Sequence, residues 1–246
     1  MSFLSKIIPA AAAAFLMSAT PALADAITLT SADINKDYTF SFNGFSDGTV
    51  INGLTSTGTF TLTGISGNDW TFSYSMDNTS SSPITASRLS GFAFTTNPDV
   101  TNASSTGAFA YTTLDKTYPN GIGTVGVCFK DANTGSCAGG AGGGLQINDP
   151  AGTGTFTLTF ASPITSLTLS DFYVRYQSIT GPDGTPSSAS GSGTLTSTST
   201  STSTSTGGQV PEPGVVGLMG AAAALMMVLR RRRPARSRSM LIPEYA

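Results

Sequence analysis

Histidine is absent from this chain, and charged residues of every kind are scarce. Only 11% of its 246 residues are Asp, Glu, Lys or Arg, which is about half the usual fraction. Without imidazole the chain lacks the commonest general base and the commonest metal ligand. Glutamate is also missing between Asp25 and Gly208. We therefore predict that the protein is not an enzyme, with no catalytic residue, no resident metal and no cofactor.

Positive charge is nearly absent outside the C-terminal tail. Six of the twelve basic residues are arginines between positions 230 and 238. From Asp25 to Gly208, five basic residues against twelve aspartates leave a net charge of about −7. A domain with so few cations cannot neutralise many phosphates. We therefore predict that nucleic acid is not a partner.

The N-terminal segment has the three parts of a signal peptide in the right order. A lysine precedes an apolar run over residues 7–17, which is too short to span a membrane. Ala22 and Ala24 then supply the small residues that signal peptidase requires. We predict a signal helix in residues 1–24 and cleavage between Ala24 and Asp25. The alternative, a buried N-terminal helix, does not explain this order.

The C-terminal segment combines a short apolar stretch with a basic cluster. Residues 214–229 are apolar, and four arginines follow them at once. Sixteen helical residues reach about 24 Å, less than the ~30 Å hydrocarbon core, so the predicted transmembrane-type helix spans only with local thinning or snorkelling arginines. The positive-inside rule keeps the arginines cytoplasmic and places the preceding domain outside.

This segment resembles a known sorting signal. Pro211, Glu212 and Pro213, the apolar helix, and then Arg230, Arg231, Arg232 and Arg233 are similar to the PEP-CTERM signal of Gram-negative bacteria. The resemblance implies an exosortase, a membrane cysteine protease that cuts near the Pro-Glu-Pro, as a partner. It also implies a protein tethered to the inner membrane during processing and then found at the cell surface or outside the cell. Residues 234–246 extend beyond the usual end of the signal, and a plain single-pass anchor is the alternative.

The segment before the sorting signal is poor in apolar residues. Residues 187–209 are rich in Gly, Ser and Thr, with strict Thr-Ser alternation over Thr196–Thr206. Such a tract has almost no apolar surface to bury. We predict a flexible linker that is a candidate for O-glycosylation. The alternative is a strand of alternating threonines, which would lack an apolar face to drive its formation.

Residues 25–186 alternate apolar and polar side chains with a period of two. The run from Tyr38 to Phe42 is typical, with an aromatic residue at every second position. About eight to ten short runs of this kind, rich in Thr and aromatics, are bounded by Gly, Asn, Asp or Pro. The others are Thr57–Ile65, Trp70–Met76, Leu89–Phe94, Phe109–Tyr111, Val125–Phe129, Phe156–Phe160 and Leu167–Tyr176.

These runs predict an all-β ectodomain, a single antiparallel β-sandwich or jelly-roll-like domain with the aromatic residues in its core. The segments Gly64–Asp69 and Ser162–Pro163 predict tight connections between paired strands. Cys128 and Cys137 form an even pair in an exported chain, which favours a disulfide. Neither thiol has a histidine to activate it for catalysis.

Three patterns suggest sites that their surroundings do not support. Asp33-Ile34-Asn35-Lys36-Asp37 matches the first half of a calcium loop, but the glycine and the glutamate that complete the loop are missing. A looser calcium site in the loops stays open as an alternative. The run Gly139–Gly144 lacks the Lys-Ser or Lys-Thr of a phosphate-binding loop. Asp69 and Asp171 are the least turn-like carboxylates, yet nothing fixes the separation that glycoside hydrolysis requires.

Two functions remain after these exclusions. The first is a structural surface or extracellular-matrix protein associated with exopolysaccharide or biofilm. The second is a carbohydrate-binding module whose exposed aromatics stack on sugar rings, with the candidates Trp70, Tyr111, Tyr118 and Tyr173. A row of solvent-facing aromatic rings would favour the second.

The ectodomain also resembles the cysteine-containing cistern group of exosortase-sorted proteins. The resemblance lies in Gly123–Cys128, in the glycine-rich loop with Cys137, and in Thr155–Phe160 followed by Asp171–Tyr176. It implies no activity.

Overall fold

The computed structural model describes residues 25–140 and 142–200. Within them the chain forms twelve strands and two short 3-10 helices, Ser31–Asp33 and Gly107–Phe109. The strands are β1 (Ile27–Leu29), β2 (Lys36–Ser46), β3 (Thr49–Ser66), β4 (Asp69–Asp77), β5 (Ala86–Asn97), β6 (Asn102–Ser105), β7 (Tyr111–Tyr118), β8 (Gly123–Lys130), β9 (Leu145–Gln146), β10 (Gly152–Thr159), β11 (Leu167–Thr180) and β12 (Ser188–Thr200).

All strand pairs are antiparallel and belong to one sheet. Its order is β6-β10-β4-β3-β2-β12-β11-β5-β8-β7, with β1 added to β11 and β9 added to β5. The two ends of this order approach each other, since the Thr112 hydroxyl on β7 donates a hydrogen bond to the Ala103 carbonyl on β6 at 2.9 Å. The sheet thus nearly closes on itself, and the prediction of an all-β, antiparallel domain is confirmed.

Of the two predicted tight connections between paired strands, the first is confirmed and the second is wrong. Gly67 and Asn68 join β3 to β4, and these strands pair along their length as expected. The Ser162–Pro163 segment joins β10 to β11, which do not pair, because β10 lies between β4 and β6 while β11 lies between β12 and β5. The first turn is local and glycine-driven, whereas the second connection crosses to another part of the sheet.

Aromatic side chains fill the interior of the folded sheet. The ring of Phe60 on β3 lies at the centre, and alternate residues of β2, β5, β10 and β11 surround it. Its ring-centroid distances run from 5.3 to 6.4 Å to Phe40, Phe92, Phe94, Phe156 and Phe172. We call the buried residues on this side of the sheet the main core. Its composition follows the period-two runs of the sequence.

Strand β12 lies in the middle of the sheet, between β2 and β11. Residues 188–200, which the sequence assigns to the linker, therefore belong to the folded β domain. Their inward-facing side chains are small: a Cβ added to Gly193 would lie 2.7 Å from the Phe42 ring, and one added to Gly191 would lie 2.7 Å from Val174. The inward face of β12 consists of small residues, and side chains of the neighbouring strands occupy the space next to them.

The signal peptide, the rest of the linker and the whole sorting segment lie outside the described residues. The predicted helices of residues 1–24 and 214–229 are among them. In the part of the chain that the structure describes, no helix has the length and apolarity needed to cross a membrane.

Candidate functional site

A second cluster of buried residues lies on the opposite side of the sheet from the main core. It consists of Ala93, Tyr118, Val125, Cys128 and Cys137, with Ile122 and Tyr173 packed against it. We call it the outer cluster. Ala93 and Cys128 alternate with the main-core residues of β5 and β8, so they point to the other side of the sheet. Two segments cover them: the disulfide loop, residues 128–137, and the turn between β7 and β8.

The predicted disulfide between Cys128 and Cys137 is confirmed. Their Cα atoms are 5.6 Å apart, and both residues are buried. The bond fixes the disulfide loop to strand β8. A structural cross-link of this kind removes conformational freedom from the unfolded chain.

A buried lysine holds the same loop from inside. Lys130 is 1% exposed, and its ammonium group donates to the Thr113 hydroxyl and to the carbonyls of Thr134 and Ser136, the last at 2.9 Å. Burial lowers the pKa of Lys130, and the neighbouring carboxylate of Asp131 acts in the opposite direction. The three oxygen atoms satisfy the donors of the ammonium group, so this cation is structural.

The chain after the disulfide is anchored to the sheet by further hydrogen bonds. The Ala138 carbonyl accepts from the Ser90 hydroxyl at 2.9 Å and from the Gln177 amide, and the Gly140 amide donates to Asp131 at 2.7 Å. Burial raises the pKa of Asp131. A Cβ at Gly144 would lie 2.4 Å from the Leu89 carbonyl oxygen. The glycines of this loop therefore permit close packing on β5.

Arg175 lies on the side of β11 that faces the outer cluster. It follows Tyr173 by two residues and pairs with Ser190 of β12 and Gly91 of β5. The residue is 8% exposed, yet its Nε and Nη1 atoms have no hydrogen-bond partner among the described residues. Burial lowers the pKa of this guanidinium, but an arginine stays charged in proteins.

Tyr118 is a buried polar residue that interacts electrostatically with Arg175. It is 1% exposed, its ring centroid lies 5.7 Å from that of Tyr173, and its hydroxyl also lacks a partner in the described part of the chain. Burial raises the pKa of the Tyr118 hydroxyl, and the charge of Arg175 works against this rise. A charged donor and a neutral hydroxyl thus share one buried location.

The four aromatics proposed for sugar stacking do not form a row. Trp70 lies in the main core and Tyr118 in the outer cluster, both fully buried. Tyr173 is half-buried against Tyr118, and Tyr111 is 45% exposed. The expectation that Trp70 and Tyr118 are exposed for sugar stacking is therefore wrong. The period-two pattern already favours an inward Trp70, whereas the packing of Tyr118 against Tyr173 depends on tertiary contacts.

The half calcium loop forms a local hydrogen-bonded cluster. The Asp33 carboxylate accepts from Lys36 at 2.8 Å, from the Tyr38 hydroxyl at 3.1 Å and from the Thr30 amide at 2.8 Å. The Lys36 ammonium lowers the pKa of Asp33 to about 2. Asp37 accepts from the Thr61 hydroxyl at 2.6 Å. Within residues 25–140 and 142–200, no three His, Cys, Asp or Glu side chains are grouped as metal ligands.

The two least turn-like aspartates are far apart in the sheet order. Asp69 accepts from Thr159 at 2.6 Å on β4, whereas Asp171 accepts from its neighbour Ser170 at 3.1 Å on β11. Strands β3, β2 and β12 separate them in the sheet. Each carboxylate serves a local contact.

Hydroxyl groups cover the outer surface of the other half of the sheet. The registers align Thr39, Thr59, Ser75 and Thr153 in one row across β2, β3, β4 and β10. Such rows repeat about 6.7 Å apart along the strands, with about 4.8 Å between strands. We call this surface the hydroxyl face; its residues are Thr39, Ser41, Thr57, Thr59, Thr61, Ser73, Ser75, Thr153 and Thr155.

A shallow depression of about 450 Å³ lies on the hydroxyl face, lined by Thr59, Thr61, Ser73, Ser75 and Thr155 among others. Some of the hydroxyls bond each other, as in the Thr39–Thr59 pair at 3.0 Å. The alternation of the sequence placed these threonines outward. Only the strand registers assemble them into one surface.

Comparison of the chain with protein-family models, with curated proteins and with solved structures finds no match.

Proposed function

We propose that this protein is an exported surface or extracellular-matrix protein with a structural role in association with exopolysaccharide or biofilm. The observation that carries the export half of the proposal is the Cys128–Cys137 disulfide, which is buried and closes a short loop. Structural disulfides form and persist in oxidising compartments outside the cytosol. A reduced cytosolic protein would have little use for such a bond.

The N-terminal side of the domain supports cleavage after Ala24. The carboxylate of Asp25 accepts a hydrogen bond from the Leu195 amide at 2.7 Å, where β12 bulges away from regular pairing. Strand β1 follows two residues later and pairs with β11. Residue 25 already contributes to the fold, so cleavage before it leaves the domain whole.

The structural role is supported by how the side chains are distributed. The aromatic rings are packed in the main core, and the hydroxyl face presents a regular array of hydroxyl groups, with Asp37 and Asp77 in register with Thr61 and Thr57. A hydroxyl-rich surface suits a protein embedded in hydrated polysaccharide, because hydroxyl groups can both donate hydrogen bonds to sugar hydroxyls and accept them.

The C-terminal part of the proposal rests on the sequence. Pro211, Glu212 and Pro213, the helix of residues 214–229 and Arg230–Arg233 would hold the protein in the inner membrane until an exosortase-type protease releases it. The β-sandwich or jelly-roll description of the ectodomain and its two flanking helices belong to the same proposal.

Mass spectrometry of the protein from membrane, surface and medium fractions tests this. We expect an N-terminus at Asp25 throughout and a C-terminus near Val210 in the released form. A Glu212→Ala variant is the matched control: it should keep the Asp25 terminus and lose the second cleavage. An intact Met1 would overturn export, and an intact Ala246 in all fractions would leave only a membrane anchor.

Carbohydrate binding is the second candidate, now through the hydroxyl face instead of an aromatic row. The depression around Thr59 favours it, since hydroxyls at regular spacing can exchange hydrogen bonds with a neutral glycan. Affinity electrophoresis in gels containing neutral polysaccharides would detect such binding. Retardation that Thr59→Val and Thr155→Val reduce, and that Thr28→Val on β1 leaves intact, would support it; equal mobility with and without polysaccharide would exclude it.

A further inference from the structure

The location shared by Arg175 and Tyr118 has hydrogen-bond donors without acceptors. Two of the three guanidinium nitrogens and the phenol hydroxyl are enclosed and unpartnered among the described residues. Buried polar groups in folded proteins are nearly always paired, so each unpaired one needs an explanation. A buried charge is the costliest case.

In the main core, the hydroxyl groups of Tyr176 and Tyr74 have hydrogen-bond partners. The Tyr176 hydroxyl donates to Ser56 at 2.8 Å, and the Tyr74 hydroxyl donates to the Thr106 carbonyl at 2.8 Å and accepts from the Phe109 amide at 2.9 Å. Trp70, Thr96 and Asp131 each leave one polar atom unpaired, but the first two are neutral and the unpaired Oδ2 of Asp131 is an acceptor instead of a donor. Only near Arg175 do a charged and a neutral donor occur together without a partner in the described part of the chain.

The other buried charged groups on this side of the sheet do not pair with Arg175. Lys130 is bonded to three oxygen atoms, and Asp131 accepts from Gly140 through Oδ1, while its buried Oδ2 has no partner among the described residues. The ion pair formed within residues 25–140 and 142–200 is Lys36–Asp33, so no carboxylate of that part neutralises Arg175. The missing partner is therefore an acceptor from outside the domain.

We propose that Arg175 and Tyr118 form a binding site for a small monovalent anion, specifically a carboxylate group. The free Nε–H and Nη1–H groups of the guanidinium can each donate a charge-assisted hydrogen bond to a carboxylate oxygen, and the Tyr118 hydroxyl supplies a further donor. The single positive charge and the net charge of about −7 on the domain select a monoanion over phosphate or sulfate.

Residues of the turn between β7 and β8 cover the site, so a ligand enters only when this turn moves. Side-chain contacts hold this turn at the long end of hydrogen-bond distances: Asn120 donates to the Phe45 carbonyl at 3.3 Å, and Ser190 donates to the Pro119 carbonyl at 3.4 Å. A turn held in this way can lift with Tyr118 and expose the guanidinium. The disulfide loop on the other side is fixed by Lys130 and by the disulfide itself.

The inference is independent of the proposed function and is tested by titrating the uniformly ¹⁵N-labelled domain with sodium formate at constant ionic strength. The readouts are the Nε–Hε resonance of Arg175, assigned by its loss in Arg175→Gln, and the backbone amides of Asn120, Gly121 and Ile122. We expect saturable shifts in the wild type. In Arg175→Gln the affinity measured from the amides should fall at least about tenfold.

Three further variants separate binding from structural damage. Tyr118→Phe keeps the ring and removes one donor, so it should weaken binding several-fold. Arg175→Lys keeps the positive charge but replaces the planar guanidinium with an ammonium group, so it should weaken binding without abolishing it. Arg88→Gln is the matched control, because it removes an arginine that donates to Gly142 away from Tyr118, and it should bind formate as the wild type does.

Parallel titrations with sodium D-glucuronate, sodium chloride and D-glucose identify the ligand chemistry. Saturation by both formate and glucuronate would extend the site to sugar-borne carboxylates, and saturation by formate alone would restrict it to free anions. Equal responses to chloride and formate would overturn the carboxylate assignment. Equal formate shifts in the wild type and in Arg175→Gln, or shifts that never saturate, would overturn the site.

Discussion

The main core and the outer cluster lie on opposite sides of one sheet and differ in the kinds of side chains that they contain. The main core is made of aromatic and aliphatic side chains in mutual contact, and its buried tyrosines find hydrogen-bond partners. The outer cluster is small and contains the disulfide, and the buried Lys130 ammonium group and the unpartnered Arg175 guanidinium lie on the same side of the sheet. Stability comes chiefly from the first, and covalent and polar chemistry is concentrated in the second.

The two sides of the sheet are stabilised in different ways. On the aromatic side, burial of a large apolar area is sufficient to stabilise the packing. A few residues on the outer side cannot bury enough apolar area, so loops must be fastened over them by a disulfide and by Lys130. Once fastened, those loops cover the outer side of the sheet, where Arg175 is buried.

The largest effect is expected at the centre of the main core. Phe60→Ala removes a ring whose centroid lies 5.3–6.4 Å from the centroids of five neighbouring phenylalanine rings. The substitution should lower the free energy of unfolding by about 3–5 kcal/mol. Urea denaturation measures this loss. A loss below about 1 kcal/mol would show that the interior is loosely packed and would remove the contrast with the outer cluster.

Removing the disulfide should have the next largest effect. The Cys128→Ala/Cys137→Ala double variant opens a short loop and should cost about 3 kcal/mol. The wild type unfolded in the presence of a reductant should show a similar loss, and the reductant should leave the double variant unchanged. Equal stability of the oxidised and reduced wild type would mean that Lys130 alone holds the loop.

Strand β12 offers a test of the main core by overpacking. Gly193→Ala places a methyl group 2.7 Å from the Phe42 ring and 3.0 Å from the Phe172 Cβ atom, and it should cost about 1–3 kcal/mol. Thr194→Ala, at the adjacent exposed position, is the control and should change stability little. Similar values for the two variants in thermal or urea unfolding would argue against a central β12.

Lys130→Met should lower stability by about 1–2 kcal/mol, because the carbonyls of Thr134 and Ser136 lose their shared donor. Lys116→Met, at an exposed position of β7, is the matched control and should be neutral. Hydrogen exchange at residues 131–136 should rise in the first variant only. Unchanged protection would assign the fastening of the loop to the disulfide alone.

The smallest effect is expected at Arg175. In anion-free buffer Arg175→Met should change the free energy of unfolding by less than about 1 kcal/mol in either direction, since replacing an uncompensated buried charge with an apolar side chain removes a cost. A large loss on urea denaturation would instead make Arg175 a structural residue like Lys130. Two buried cations on the same side of the sheet therefore give different predictions.

Several features of this protein could be predicted because they depend on neighbouring residues only. The alternation of Tyr38, Phe40 and Phe42 identifies β2, and the glycine-rich Gly64–Asp69 segment identifies the β3–β4 turn. The even pair of cysteines, Cys128 and Cys137, predicts the disulfide. In each case local geometry, a period of two or a short loop, decides the outcome.

Strand β12 could not be recognised in this way. Its inward residues include Ala189, Gly191 and Gly193, whose smallness is complementary to Phe42, Phe172 and Tyr176 on adjacent strands. A hydrophobicity pattern registers large apolar side chains and overlooks the small positions into which they pack. The volume is shared between strands, so a single strand does not reveal it.

The amino-acid sequence by itself determined the class of structure, the aromatic core, the disulfide and the acidic, histidine-free character of the domain. The tertiary structure decided that β12 is central, that the threonines form one hydroxyl face, and that Arg175 lies beside Tyr118, 57 positions away in the chain. Period and composition are properties of neighbouring residues. Strand register and the meeting of distant loops depend on how the whole sheet folds back on itself.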